Sequence, residues 1–127
     1  MSHPWRLSLA ALSLALVAAA DRSRVPEATP AGAPVTCLHL SQIRESRVRD
    51  DRTIDWFTRD NRVYRTTLAY ACPELGFEQR FAYETSLSEL CQTDIITVFH
   101  TSPVQRGASC GLAPFQPVTL ADARHRR

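Results

Sequence analysis

Three consecutive pieces decide the fold: Arg52-Thr-Ile-Asp-Trp-Phe-Thr58, then Arg59-Asp-Asn61, then Arg62-Val-Tyr-Arg-Thr-Thr-Leu68. Both long arms are rich in β-branched and aromatic residues, which suit a pleated, half-buried surface, and the first alternates with period two. Arg59-Asp60-Asn61 supplies turn chemistry, since Asp and Asn bond to their own backbone and tolerate a left-handed conformation. The stretch therefore predicts a β-hairpin, with Ile54 and Trp56 on one face and Val63 and Thr67 opposite them. The same alternation makes Trp56 a core residue rather than a ligand platform.

Outward from this hairpin the signals weaken. On the N-terminal side, residues 46–49 read as a preceding strand, and Leu38, Leu40 and Ile43 fit either a short helical turn begun at Ser41 or extended chain. On the C-terminal side, Cys72-Pro73 opens an irregular stretch through Gly76. Residues 80–85 (RFAYET) then read as a strand with Phe81 and Tyr83 on one face. Ser86 with Glu89 has the spacing of a capping box, which predicts one helical turn over residues 86–90. Residues 93–99 (TDIITVF) form the most apolar β-branched run and are expected to be the central, most buried strand. A loop follows over 102–109. Residues 110–118, with Pro114 and Pro117, are expected only at a sheet edge, because proline cannot donate to a ladder. The total is a mainly β chain, with α+β as the alternative: five or six short antiparallel strands in a half-barrel or compact sandwich, one or two helical turns and two disulfides.

The N-terminus reads as an address rather than as structure. Residues 1–20 have a short n-region containing Arg6, the uncharged run LSLAALSLALVAAA and a small-residue end at Ala18-Ala19-Ala20, the layout of a secretory signal peptide. A membrane anchor is the alternative, but spanning takes roughly 20 apolar residues and this run stops at Asp21-Arg22. Cleavage after Ala20 leaves 107 residues. Residues 21–35, with Pro26, Pro30 and Pro34, are expected to be an extended mobile linker, residues 36–120 a single domain and residues 121–127 a basic flexible tail. No stable membrane span is expected once the signal is removed.

Beyond residue 20 fourteen Arg face thirteen Asp and Glu, a balance that argues against nucleic acid as a partner. The four cysteines, Cys37, Cys72, Cys91 and Cys110, are 35, 19 and 19 residues apart. None forms the closely spaced pair of a zinc knuckle, and an even count in a small exported chain reads as disulfides. Of the three possible connectivities, Cys72–Cys91 with Cys37–Cys110 is expected: a local loop inside a clasp joining the domain's ends. Neither metal nor cofactor is expected.

Each candidate catalytic motif has a simpler reading. Gly107-Ala-Ser-Cys-Gly111 matches the nucleophile-elbow pattern, but the chain is too short for the required α/β sheet, so it reads as a turn presenting a disulfide cysteine. Cys37 lies two residues from His39, yet export favours its pairing. His39 and His100 lack a partner at ligand spacing. Asp50, Asp51, Asp55, Glu84 and Asp94 could supply a hydrolytic carboxylate pair, although Asp50-Asp51 before a strand is also ordinary turn chemistry. Seven Arg between residues 44 and 65 alternate with apolar residues. A salt-bridged outer face explains them. The sharper reading is a binding face of Arg52, Phe57, Arg62, Tyr64 and Arg65 for an anionic ligand or an envelope protein.

Taken together, Cys37-Leu-His-Leu40, Asp50-Asp-Arg-Thr-Ile-Asp55, Arg62-Val-Tyr-Arg65 with Leu68, and Cys72-Pro73 resemble a domain-of-unknown-function family of small exported bacterial proteins with four spaced cysteines. The likeness continues through Phe81-Ala-Tyr83, Leu90-Cys91, Asp94-Ile-Ile96 and Gly107 to Phe115. It implies one domain, two disulfides and export, and it carries no catalytic residue. Some members have a lipid-acceptor cysteine directly after the signal; this chain has none, so the resemblance does not carry membrane anchoring over. The expected function is a non-catalytic periplasmic or secreted binding or structural module. The alternatives are a small inhibitor of an exported hydrolase, acting through a disulfide-tied loop such as 101–109, and a small hydrolytic enzyme.

Overall fold

A computed structural model describes residues 25–85 and 87–121. The expected signal peptide and all of the expected tail except Ala121 lie outside the described residues. The described chain is mainly β. Its strands are β1 (Ala28–Pro30), β2 (Cys37–His39), β3 (Ile43–Val48), β4 (Thr53–Thr58), β5 (Val63–Thr67), β6 (Phe81–Tyr83), β7 (Glu89–Cys91), β8 (Ile95–Thr101), β9 (Val104–Gly111) and β10 (Gln116–Leu120). One 3-10 turn, Leu40–Gln42, and one short helix, α1 (Leu75–Glu78), complete it. The strands form three antiparallel sheets, ordered β1-β10-β5-β4-β3, β2-β7 and β6-β8-β9.

The hairpin expected over residues 52–68 is β4–β5, with one difference of register. Trp56 pairs with Tyr64 and Ile54 with Thr66, whereas Val63 and Thr67 face the other side opposite Phe57 and Thr53. The cause is the turn. Asn61 takes φ 63°, its N–H donates to the Thr58 carbonyl at 3.2 Å, and Thr58 N–H bonds to Arg62 O at 3.0 Å. A three-residue loop with one left-handed residue fixes the pairing at Phe57–Val63, and a one-residue offset exchanges the two faces of a strand.

On the inner face Trp56 is the hub. Its ring meets Phe81 at 5.7 Å and Phe115 at 5.8 Å, both edge-on, and its Nε1–H donates to Thr66 Oγ1 at 3.1 Å, so the indole is buried without an unpaired donor. Ile54, Leu68, Leu75, Leu90, Ile96 and Val98 complete the core between the sheets. The most enclosed strand is therefore β4. β8 is central only within its own three-stranded sheet, where Ile96 and Val98 point inward and Ile95 stays 56% exposed.

Several other expectations change. Both disulfides form, but they join Cys37–Cys91 and Cys72–Cys110 rather than Cys72–Cys91 and Cys37–Cys110. The ends of the domain do meet, through the Val35–Phe115 bridge, while Cys37 and Cys91 sit directly opposite one another in the β2–β7 ladder. The bonds are thus interlaced along the chain rather than nested. The stretch read as a mobile linker contributes β1, which pairs with β10 from Ala28 to Pro30. β10 is an inner strand despite Pro117. Its carbonyl accepts from Ala31 N–H at 2.9 Å, just beyond the end of β1, so its missing N–H also faces the side where that ladder has run out. The helical turn falls at α1, in the stretch read as irregular, and residues 89–91 are strand. Residues 104–111, read as a loop and a turn, are β9, so the nucleophile-elbow pattern lies in a strand.

Candidate functional site

Two clusters of polar side chains are built into this frame. The first lies on the outer face of the five-stranded sheet. Asp55 is 0% exposed, an unusual position for a carboxylate, and two arginines explain it. Arg65, its cross-strand partner, grips it through two bonds of 2.8 and 3.0 Å, and Arg49 adds a third at 2.8 Å. Bidentate, charge-assisted bonds of this kind satisfy a desolvated carboxylate. Beside them the Arg47 guanidinium lies 4.8 Å from the centre of the Phe57 ring.

This arrangement places the five residues of the sequence-derived binding face in different environments. Phe57 and Arg65 share the outer face, with Arg65 committed to Asp55. Tyr64 is on the inner face, packed against the core. Arg52 sits at the β3–β4 turn and donates to the carbonyls of Leu68 and Ala69, at 2.9 and 3.3 Å. Arg62 and Tyr64 are brought together at the rim of a 630 Å³ hollow that Val35 and Pro117 also line. There the Tyr64 hydroxyl, and after it Asp60, hold the Arg62 guanidinium above its ordinary value.

The second cluster joins the segment between β5 and β6 to the β8–β9 hairpin. Left-handed residues flank α1, at Glu74 (φ 66°) and Gln79 (φ 56°). The tight turn sends Glu74 and Glu78 to opposite ends of one imidazole: His100 Nε2 lies 3.0 Å from Glu74 and Nδ1 lies 2.9 Å from Glu78. Both ring nitrogens thus face a carboxylate. Gly107, across the hairpin, leaves room for the ring, since a Cβ there would lie 2.6 Å from Nε2. The Cys72–Cys110 bond ties the same two segments covalently.

The base of this segment is pinned from the other side as well. Cys72 N–H donates to Asp51 O at 2.7 Å, Gly76 N–H to the Asp51 carboxylate at 2.8 Å, and Leu68 N–H to Arg52 O at 2.7 Å. Yet the segment exposes Tyr70 and Phe77 at 85% and 84%, and the neighbouring hairpin tip, residues 101–106, is exposed throughout.

The carboxylates weighed for hydrolysis are spread through the fold. Asp50 accepts from Arg52 N–H, Asp51 from Gly76 N–H and Asp94 from Cys91 N–H, all turn or anchor roles. Glu84 is exposed, 3.8 Å from Arg106. Glu89 comes within reach of Cys37 and Cys91 in a metal-like grouping, but both sulfurs are consumed by their disulfide and offer no thiolate.

Sequence reasoning missed the His100 clamp and the two exposed aromatics. His100 is 22 residues from Glu78, too far for any spacing rule. Tyr70 did carry a faint signal, an aromatic between alanines just outside the alternation of β5. No family model matches the chain, and neither a curated protein nor a solved structure does. Among the described residues no helix is long and apolar enough to cross a membrane. Two disulfides fit an oxidising compartment.

Proposed function

We propose that this chain is a non-catalytic module of the periplasm or the secreted fraction, and that it binds a partner where the segment 68–80 runs beside the β8–β9 hairpin. The observation that carries this reading is the contrast within that region. Its base is fixed by a disulfide, a histidine between two glutamates and backbone bonds to Asp51 and Arg52, while Tyr70, Phe77 and Val104 point into solvent. Rigid, exposed aromatic side chains lose little entropy on docking and are the usual anchors of protein interfaces. Export is supported by the signal-peptide layout of residues 1–20 and by the two disulfides.

Two measurements test it. Mass spectrometry of protein from a periplasmic fraction is expected to give a chain beginning at Asp21 and lighter than its reduced form by the hydrogens of two disulfides. Photo-reactive residues placed at Phe77 and Val104 are expected to yield the same cross-linked partner, whereas Arg44, exposed on β3, yields none. Adducts from Arg44 alone would remove this surface from consideration.

A further inference from the structure

Residues 69–71, Ala-Tyr-Ala, form an exposed arch between two buried feet, Leu68 at 1% and Cys72 at 0% exposed. Each foot is held by a different device. Leu68 exchanges bonds with Arg52, its N–H donating to Arg52 O at 2.7 Å and its carbonyl accepting from Arg52 Nε at 2.9 Å. Arg52 Nη2 reaches one residue further, to Ala69 O at 3.3 Å. On the other side Cys72 donates to Asp51 O and is bonded to Cys110. Between these anchors Tyr70 stands 85% exposed, with Ala69 and Ala71 as its neighbours in the chain.

We propose that this arch is an inhibitory loop, and that its partner is an endopeptidase whose specificity pocket accepts an aromatic side chain, with Tyr70 as the inserted residue. The inference rests on the reading of the segment 68–80 as a contact surface and names the partner for it. Three features fit that occupant. A single large side chain with few rotamers fills a deep pocket at low entropic cost. Alanines on either side put no bulk next to Tyr70 that would keep the rim of a pocket from closing over its ring. The fixed feet keep the two ends of the arch together even if the bond after Tyr70 is cut, so a cleaved loop stays in place and the active site remains occupied. A bilayer is the poorer fit, because one aromatic among alanines buries too little apolar surface to hold a protein on a membrane.

The test uses the oxidised, signal-free chain with chymotrypsin and subtilisin as probes and trypsin as control. Inhibition of at least one of the first two is expected, without inhibition of trypsin. Tyr70→Gly is expected to weaken that inhibition by about 30-fold or more, as for loss of a hot-spot anchor, while the disulfide map and melting temperature stay unchanged. Tyr70→Lys is expected to move inhibition to trypsin, and Phe77→Ser to leave it within a few-fold. Failure of the unaltered chain to inhibit either probe, steady digestion without inhibition, or full inhibition by Tyr70→Gly would overturn the proposal. Should the cross-links from Phe77 and Val104 persist in that event, the contact surface stands and only the endopeptidase is lost; loss of both removes the surface too.

Discussion

The β4–β5 hairpin and the segment 68–80 use charge in opposite ways. In the hairpin it is buried on the outer face: Asp55 and Arg65 pair across adjacent strands, Arg49 closes over them, and all three side chains are at most 16% exposed. In the segment 68–80 the carboxylates grip one histidine from outside, and Glu74 remains 61% exposed. Local pairing on a regular ladder built the first cluster, whereas a disulfide and two left-handed residues were needed to bring the second together. Of these two regions, the regular one is occupied with its own stability, and the irregular one has exposed aromatic groups left over for contact.

Reduction should break the second region first and most severely. In the chain-entropy model each disulfide, closing a separation of 54 or 38 residues, contributes about 4 kcal/mol. A domain of this size has a net stability of about 5–15 kcal/mol. Circular dichroism melts with and without reductant are expected to show the folded baseline lost or strongly lowered. A reduced chain that melts at the same temperature would mean that the sheets, not the interlaced bonds, hold the segment 68–80.

Asp55→Ala is the corresponding blow to the hairpin. It strands Arg49 and Arg65 largely buried without their anion, and breaking a buried ion pair from one side costs about 3–5 kcal/mol. Denaturant unfolding measures it. Replacing Arg49, Asp55 and Arg65 together by apolar residues of similar volume is expected to cost far less, since no charge is then left alone. If the single and triple variants are equally unstable, the cluster matters through packing rather than charge.

Gly107→Ala comes next and returns to the histidine. The new Cβ would lie 2.6 Å from His100 Nε2. A free imidazole would swing away at small cost, but this one is held by carboxylates at both nitrogens. Crowding of this kind costs about 1–3 kcal/mol. Pairing Gly107→Ala with His100→Ala in a double-mutant cycle separates the clash from other effects: the glycine substitution is expected to become nearly neutral once the ring is gone. Full cost without the ring would place the clash elsewhere, for example against Val98, whose Cβ is 3.3 Å away.

These variants also mark where the sequence was readable. Runs rich in β-branched and aromatic residues located β4, β5, β6 and β8, and the alternation in β4 marked Trp56 as core, because each signal lies within one strand; the strand read over 46–49 caught only the end of β3. The Val63 register failed on a single left-handed Asn61, which the string of residue types does not specify. Disulfide partners depended on which strands pair at long range, and the expected clasp assumed that Cys37 and Cys110 mark the meeting ends. Val35 and Phe115 do that instead. The Arg-rich run was visible as chemistry but not as geometry: no spacing rule says that Arg65 is consumed by Asp55 while Arg62 stays exposed. His100 was invisible as a site, since its two carboxylates come from a short helix and from the left-handed residue before it, neither of which local sequence announced.

The smallest expected effect lies at the hairpin turn. The Thr58 hydroxyl donates to the Asp60 carboxylate and accepts from Arg62 N–H at 3.1 Å. The Thr58 bond is the main reason the Asp60 carboxyl is held below its ordinary value of 3.8, with Arg62 a minor contributor. A carboxyl whose folded value is depressed stabilises the fold above its unfolded value and loses that contribution as pH falls through the folded one. The turn's share is therefore complete at neutral pH and disappears only in acid below 3.8. Because the Asp60 side chain is largely exposed, solvent screens the interaction and the effect on the melt is expected to be slight. An NMR titration resolves what a melt does not. Asp60 is expected to titrate below 3.8 and to return towards it in Thr58→Val. A midpoint unmoved by that substitution would assign the depression to Arg62, and with it a larger role for charge at the tip of a hairpin whose Asp55 and Arg65 are spent on a buried pair.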